Sequence, residues 1–551
     1  MFDAISRSPE QQGRSAPGGS ADTTTLSGHR AKGAMAAIFT AVFVANFAMV
    51  LPGALNGLIQ LNLHASGAQL SWISAIFFIP TAALELTFGV IGDLVGRRRL
   101  LIIGALTLAV GTGIGALATT IGVLLVGQAI AGIGAAVLFP TSLASVAALT
   151  PDPRKRAKGI AMWTMAMAIG ASTGPMVSGA IGLHASFHWA FAVAALLALF
   201  CAVISFVYMP DSRSPEGRGL DVAGQITFAV ALTAILFGVI QGANIGYGSA
   251  PIIGCFVGGG ALMVVFVVIE LQARFSLIHT ELFRSMTYSG AALIALVNAV
   301  GFFGFNYSVS LRVSVIQGQG SLVVGITSAT QAVVPLVMWP ILARLLYRIP
   351  PRWVIVWGLA FMAIAQFWVA SIPIADTSIP ALVPSLLLGG FGFVAVVSST
   401  SASMVDVPIQ KEGVASGTIN MARDTGAAIG IAAIGAIALA HASSVLPGVL
   451  AKFGISGNAL VAVNHVLAAG GPIAVAHANL GPISARSIPA AQSALWQGFS
   501  LAITFCGALS VVAIVIALCM IRSGALRRGL TEDHDLVSVE ATGTSVATSQ
   551  P

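Results

Sequence analysis

Few residues in this 551-residue chain could do chemistry, because 57% of it is hydrophobic and only 8% is charged. The charges inside apolar stretches are therefore the first candidates. Glu85 lies eight residues before Asp93, and Arg423 and Asp424 sit side by side in an apolar run, closely preceded by Asn420. Residues three and four apart share a helix face, so Asn420 can meet either of those two charges. A charge in hydrocarbon is costly unless paired or hydrated, which makes it a functional candidate by default. The simplest chemistry open to Glu85 and Asp424 is to take up and release a proton. The bland alternative for Arg423 is a structural bond to a neighbouring helix carbonyl. Glu270, at the end of its run, reads as a group that reaches water, and Arg312, near another helix end, as one that snorkels.

Two further patterns concern backbone approach more than proton chemistry. The turn Gly89-x-x-x-Asp93-Leu94-x-Gly96-Arg97-Arg98-Arg99 joins two apolar runs. Gly89 permits close helix contact there, and Asp93 can accept from a helix N-terminus or pair with the arginines. Equally, the arginines serve as topology signals that Asp93 balances. Later, Gly170-x-x-x-Gly174-Pro175-x-x-Ser178-Gly179 gives one helix a smooth face of small residues, and Pro175 removes a helical hydrogen bond.

The elements that must position these groups are membrane helices. A bilayer core needs roughly 20 apolar residues per helix. Fourteen such stretches are expected, near 34–57, 70–92, 100–119, 121–149, 160–182, 188–208, 222–242, 250–270, 287–315, 321–343, 353–373, 379–402, 414–440 and 495–521. The Lys and Arg residues fall almost wholly in every second gap, notably at Arg97–Arg99 and at Arg154, Lys155, Arg156 and Lys158. The positive-inside rule then puts both termini in the cytoplasm, which requires an even number of spans. The expected layout is a tail at 1–33, six helices in 34–209, a linker with two inserted helices in 210–270, six more helices in 271–525, and a tail at 526–551. The second six-helix set includes a Gly- and Pro-rich segment, 441–494, read as an external loop with at most one interfacial helix.

Composition also excludes several classes. The net charge of +7 resides in short loops with no long basic run, which argues against nucleic acid. Cys201, Cys255, Cys506 and Cys519 all lie in apolar stretches without paired spacing, so neither disulfides nor a metal site is expected, and no cofactor is implied. No Lys precedes Ser or Thr, so a Walker phosphate loop is absent and a nucleotide-driven pump is disfavoured. No short apolar segment with a cleavage site precedes the first span, so no cleaved signal peptide is expected.

With these motifs in place, the chain resembles the major facilitator superfamily over roughly residues 34–525, and in particular its fourteen-helix drug:proton antiporter branch. The turn from Gly89 to Arg99 carries the resemblance, together with Trp72 at the start of span two and Gly127-x-x-x-x-Gly132-Ile133-Gly134-Ala135-Ala136 in span four. The resemblance implies an all-α membrane fold of two six-helix halves plus two central helices. It implies that Gly89, Asp93, Gly96, Arg97 and Arg98 form a conformational latch, and that Gly170, Gly174, Pro175 and Gly179 form the antiporter-type helix. It also points to Asn46, Gln128, Asn298, Phe302, Asn306, Asn420, Arg423 and the Ser398–Thr400 cluster as cavity candidates.

The chain departs from the branch at three places. Leu94 replaces the usual basic residue after the Asp, span one has no acid, and Gln128 stands where span four usually has Arg. An amide does not titrate near neutral pH, so any proton role passes to Glu85 or Asp424. The activity implied is alternating-access export of small amphiphilic molecules, driven by protons, by a monomer in a bacterial inner membrane. An uptake symporter or facilitator, and a transport-inactive sensor or scaffold, are the competing readings.

Overall fold

The computed structural model describes residues 28–521, apart from 151, 212–220, 274–277, 347–348, 405–406 and 408–411. Both tails, most of the polar linker and the side chains of Asp93, Ser398, Ser399 and Thr400 lie outside the described set.

Among the described residues every regular element is a helix. The first group comprises α1 (Gly28–Leu63), α2 (Gly67–Ala75), α3 (Phe78–Val95), α4 (Arg97–Ala116), α5 (Ile121–Leu149), α6 (Pro153–His184) and α7 (Phe187–Tyr208). Next come α8 (Val222–Ile245) and α9 (Ala250–Gln272). The second group comprises α10 (Met286–Leu311), α11 (Ser321–Leu346), α12 (Pro351–Ser371), α13 (Ile379–Met404), α14 (Glu412–Lys452), α15 (Gly457–His477) and α16 (Ser484–Met520). Twelve helices are long and apolar enough to cross a membrane among the described residues, with α2 and α3 counted as one. The expected tenth and twelfth spans correspond to α11 and α13, whose described apolar parts are shorter, at Ser321–Val334 and Ile379–Phe393.

Local sequence explains where these helices start and bend. Ser66 and Gln69 form a reciprocal capping box at α2, and Thr120, Asp152, Ser186, Asp221 and Ser285 cap five others with side-chain oxygens. Pro80 cannot donate to residue 76, so the second span breaks between α2 and α3. Gly96, at φ 112°, turns the chain from α3 into α4 in a conformation that favours glycine.

The largest core draws on both groups, from Phe47 and Phe78 to Phe305 and Phe499, and two smaller cores are each confined to one group. One core holds Ile38, Leu101, Leu138 and Phe139 of the first group, and another holds Tyr288, Ile294, Leu359 and Ile419 of the second. The groups meet mainly through α6 against α11 and α3 against α14, with α1 touching α10 and α11. The inserted α8 packs on α9 and also on α2, α3 and α14. Val257, Val264, Val268 and Leu271 of α9 are exposed at helical spacing, as a lipid-facing surface requires.

The 441–494 segment differs from the expected external loop. Helix α14 continues to Lys452, α15 follows, and α16 already begins at Ser484. Gly454, at φ 70°, ends α14 in a Schellman turn: Ile455 N–H donates to Leu450 O and Gly454 N–H to Ala451 O. Gly471, at φ 73°, kinks α15 just before Pro472. Glycine and proline thus punctuate helices here instead of dissolving them, and buried Leu446, Leu450, Val463 and Ile473 join the largest core. The resulting cap lies over the end of the bundle opposite the Gly96–Arg99 turn. His477 Nε2 donates to Val315 O at 2.8 Å and Gln492 Nε2 to Ile316 O at 2.8 Å.

Arg312 does not snorkel. It is fully buried where α10 passes into a π-helical turn, and its guanidinium donates to Ile372 O at 3.0 Å, Pro373 O at 2.7 Å and Asp376 O at 3.1 Å. It also stacks 4.0 Å from the Trp496 ring centroid. Three carbonyls and an aromatic face replace the water that it was expected to reach.

Candidate functional site

Two features converge between the helix groups: a buried charge cluster and a cavity. The cluster spans α3 and α14. Asn420 Nδ2 lies 3.5 Å from Glu85 Oε1, a long hydrogen bond, and Arg423 Nη1 donates to Asn420 Oδ1 at 3.3 Å. Arg423 Nε is 3.1 Å from Asp424 Oδ1. Glu85 and Asp424 are 3% and 2% exposed, and Glu85 Oε2 and Asp424 Oδ2 have no hydrogen-bond partner. Gly417 makes this approach feasible, since a Cβ there would strike Leu86 beside Glu85. Two carboxylates and one guanidinium leave a single negative charge, which one proton would neutralise.

The cavity encloses about 1050 Å³ of space between atoms, open solvent included. Asn46, Pro175, Phe302 and Asn306 line it, as do Phe78, Phe303, Tyr307, Gln331 and Phe393. Toward the capped end it is closed by contacts between the groups. Tyr307 Oη and Ser71 Oγ are 2.9 Å apart, Asn56 Nδ2 donates to Ser310 Oγ at 3.4 Å, and Ser310 Oγ donates to Gly53 O.

The remaining sequence candidates are distributed unevenly. Gln128 is buried with both amide ends unpaired and does not line the cavity. Asn298 also lies off the cavity: its Nδ2 donates to Gly392 O at 3.4 Å, tying α10 to α13. Asn420 and Arg423 belong to the charge cluster and not to the cavity wall. Family architecture assigned the lining to too few helices, because α3, α6 and α11 contribute as well. Gln331 and Ser328, three apart in apolar α11, were the sequence signal for that third wall.

The antiporter-type helix carries close contacts on two sides. Added Cβ atoms at Gly170 and Gly174 would meet α1, at Phe43 O and, 2.9 Å away, at Phe47 O. One at Gly179 would come within 2.5 Å of Ser321 O in α11, where Ser321 Oγ already donates to Gly179 O at 2.8 Å. Gly325 of α11 approaches Pro175 O in return. α6 is therefore the tightest seam between the groups.

Of the expected latch, the side chain of Asp93 lies outside the described residues. Gly89 would tolerate a Cβ, its nearest neighbour being Pro140 Cβ at 3.6 Å. Gly96 supplies the turn, and Arg97 opens α4. Arg98 donates to Phe206 O at 2.6 Å and sits 5.2 Å from the Phe206 ring centroid. It fastens α4 to α7 inside its own group, and does not reach across to the other.

The model of the Major Facilitator Superfamily matches residues 36–431. The multidrug efflux pump LfrA of Mycolicibacterium smegmatis is 28% identical over 385 residues, 69% of this chain and 75% of that protein. The tetracenomycin C resistance and export protein of Streptomyces glaucescens is 24% identical over 467 residues, 84% and 86% of the two chains. Among solved structures, the inward-facing, occupied bacterial homologue of the human lysosomal transporter Spinster superposes with a TM-score of 0.64 at 14% identity, covering 89% of this chain and 96% of that one. The shared fold, the paired helix groups and the family match together identify the chain as a multi-pass membrane transporter that belongs to the Major Facilitator Superfamily.

Proposed function

We propose that this protein exports small amphiphilic molecules by alternating access and that protons drive it through the Glu85–Asn420–Arg423–Asp424 cluster. The supporting observation is that this cluster joins α3 of one group to α14 of the other. Protonation there removes the uncompensated charge that favours the Asn420–Arg423 side, so charge state and contact between the groups are linked. Export, in place of uptake, is supported by the likeness to proteins named for efflux and export. Both termini then face the cytoplasm of a bacterial inner membrane, and one chain suffices for the path.

The test uses the full chain in vesicles with an imposed pH gradient. Glu85→Gln and Asp424→Asn remove each titrating group while keeping its shape. Loss of gradient-driven efflux with retained exchange between two substrate pools is the expected result. Full gradient-driven activity in both variants would remove the cluster from coupling.

A further inference from the structure

The cavity wall carries information about its ligand that the charge cluster does not. None of its described lining residues is charged. Glu85 lies seven residues beyond Phe78, about 10 Å along a helix, and is already engaged by Asn420. The wall is instead aromatic: Phe302 stands edge-on to Phe303 at 5.3 Å, Phe303 is edge-on to Phe78 at 5.1 Å, and Phe393 tilts against Phe302 at 5.8 Å. These faces would attract a desolvated cation weakly. Stripping a cation of water without an opposing charge costs more than the rings alone return.

Polar recognition is present in the same wall. Asn46 and Asn306 spend an N–H on their own helices, at Val42 O and Phe302 O, which leaves each oxygen as an available acceptor. Gln331 differs: it is 1% exposed, and neither end of its amide has a hydrogen-bond partner. A buried amide without partners is an expensive arrangement, and one that ligand binding would relieve. Space for it is made by Gly389 of α13, where an added Cβ would come within 2.9 Å of Gln331 Nε2.

We infer that the cavity selects uncharged, flat aromatic molecules bearing both a hydrogen-bond donor and an acceptor, and that Gln331 reads those groups. The inference names the substrate class of the transport site proposed above and rests on that reading for its biological role. A neutral ligand stacks on the phenylalanines at little desolvation cost, while the Gln331 amide supplies one donor and one acceptor at a fixed place.

The experiment measures binding, not transport. Acridone is neutral with one N–H and one C=O; 10-methylacridinium has the same outline with a fixed positive charge and no N–H. Equilibrium dialysis of each against the full chain in detergent micelles, with empty micelles as blank, should show acridone binding at least about tenfold tighter. Gln331→Leu should weaken acridone about tenfold yet leave anthracene, which has no hydrogen-bonding group, unchanged. Retained anthracene binding also reports that the variant's cavity is intact. Gly389→Ala should weaken acridone in the same sense by displacing the amide. Equal or tighter binding of the cation, no binding of acridone, or unchanged acridone affinity in Gln331→Leu overturns the inference. Selective acridone binding without movement of acridone in vesicles would defeat the export reading and leave the ligand class standing.

Discussion

Replacing Arg312 with Met should loosen the α12–α13 turn by a calculable amount. The guanidinium is the hydrogen-bond donor for Ile372 O and Pro373 O, whereas Asp376 O also accepts from Gln317 Nε2 at 2.9 Å. Pro373 O likewise keeps the Asp376 N–H, so the substitution orphans one carbonyl, Ile372 O. Each unsatisfied buried acceptor costs roughly 1–3 kcal/mol, and Met refills the space while avoiding the cost of burying a charge. A net loss of about 2 kcal/mol follows, which is about thirtyfold in an opening equilibrium. Amide hydrogen exchange reads this locally, at Ile372 N–H bonded to Val369 O and at Asp376 N–H bonded to Pro373 O. Their protection should fall about thirtyfold, while amides in the middle of α4 keep theirs. Arg312→Lys, with a point charge in place of a planar fork, should fall between the two. A change under about threefold in the Met variant would refute the accounting.

Two other outcomes test different parts of the molecule. Gly325→Val presses a side chain on the Pro175 carbonyl, and overpacking against backbone costs roughly 1–3 kcal/mol, so vesicle transport should drop at least about tenfold. Gly113→Val, with nothing within 4 Å of its added Cβ, should transport normally, and equal activities would mean that the α6–α11 seam does not govern movement. In the cap, burial holds the His477 imidazole below the ordinary histidine range, outweighing its bond to Val315 O. The undocked histidine takes a proton near pH ~6.5 and the docked one only at lower pH, so cap docking weakens as pH falls through that window. Exchange protection of 457–477, corrected for intrinsic rates, should fall between pH about 7.5 and 5.5 in the wild type and stay level in His477→Gln.

Features carried by local patterning were readable from the chain itself. Apolar runs of bilayer length marked the helices, and the Gly170–Gly179 spacing marked the helix that makes the closest backbone contacts. The Asn420–Arg423 hydrogen bond follows from their spacing of three. Contacts made across the bundle left no such trace. Glu85 meets Asn420 over a separation of 335 residues, and nothing near either one points to the other. Arg312 resembled any arginine near a helix end until the loop at 372–376 folded over it. The Gly- and Pro-rich stretch at 441–494 misled because these residues can end, kink or merely interrupt a helix, and tertiary burial of Leu446, Val463 and Ile473 decided among those outcomes.

The inserted α8 is no bystander. It touches α2 and α3 of the first group and α14 of the second, so along that flank it covers the boundary between the groups. Any rocking that parts α3 from α14 must carry α8 with one partner and peel it from the other. The boundary thus has two unlike flanks, one splinted by α8 and the other closed by glycine-lined backbone contact between α6 and α11.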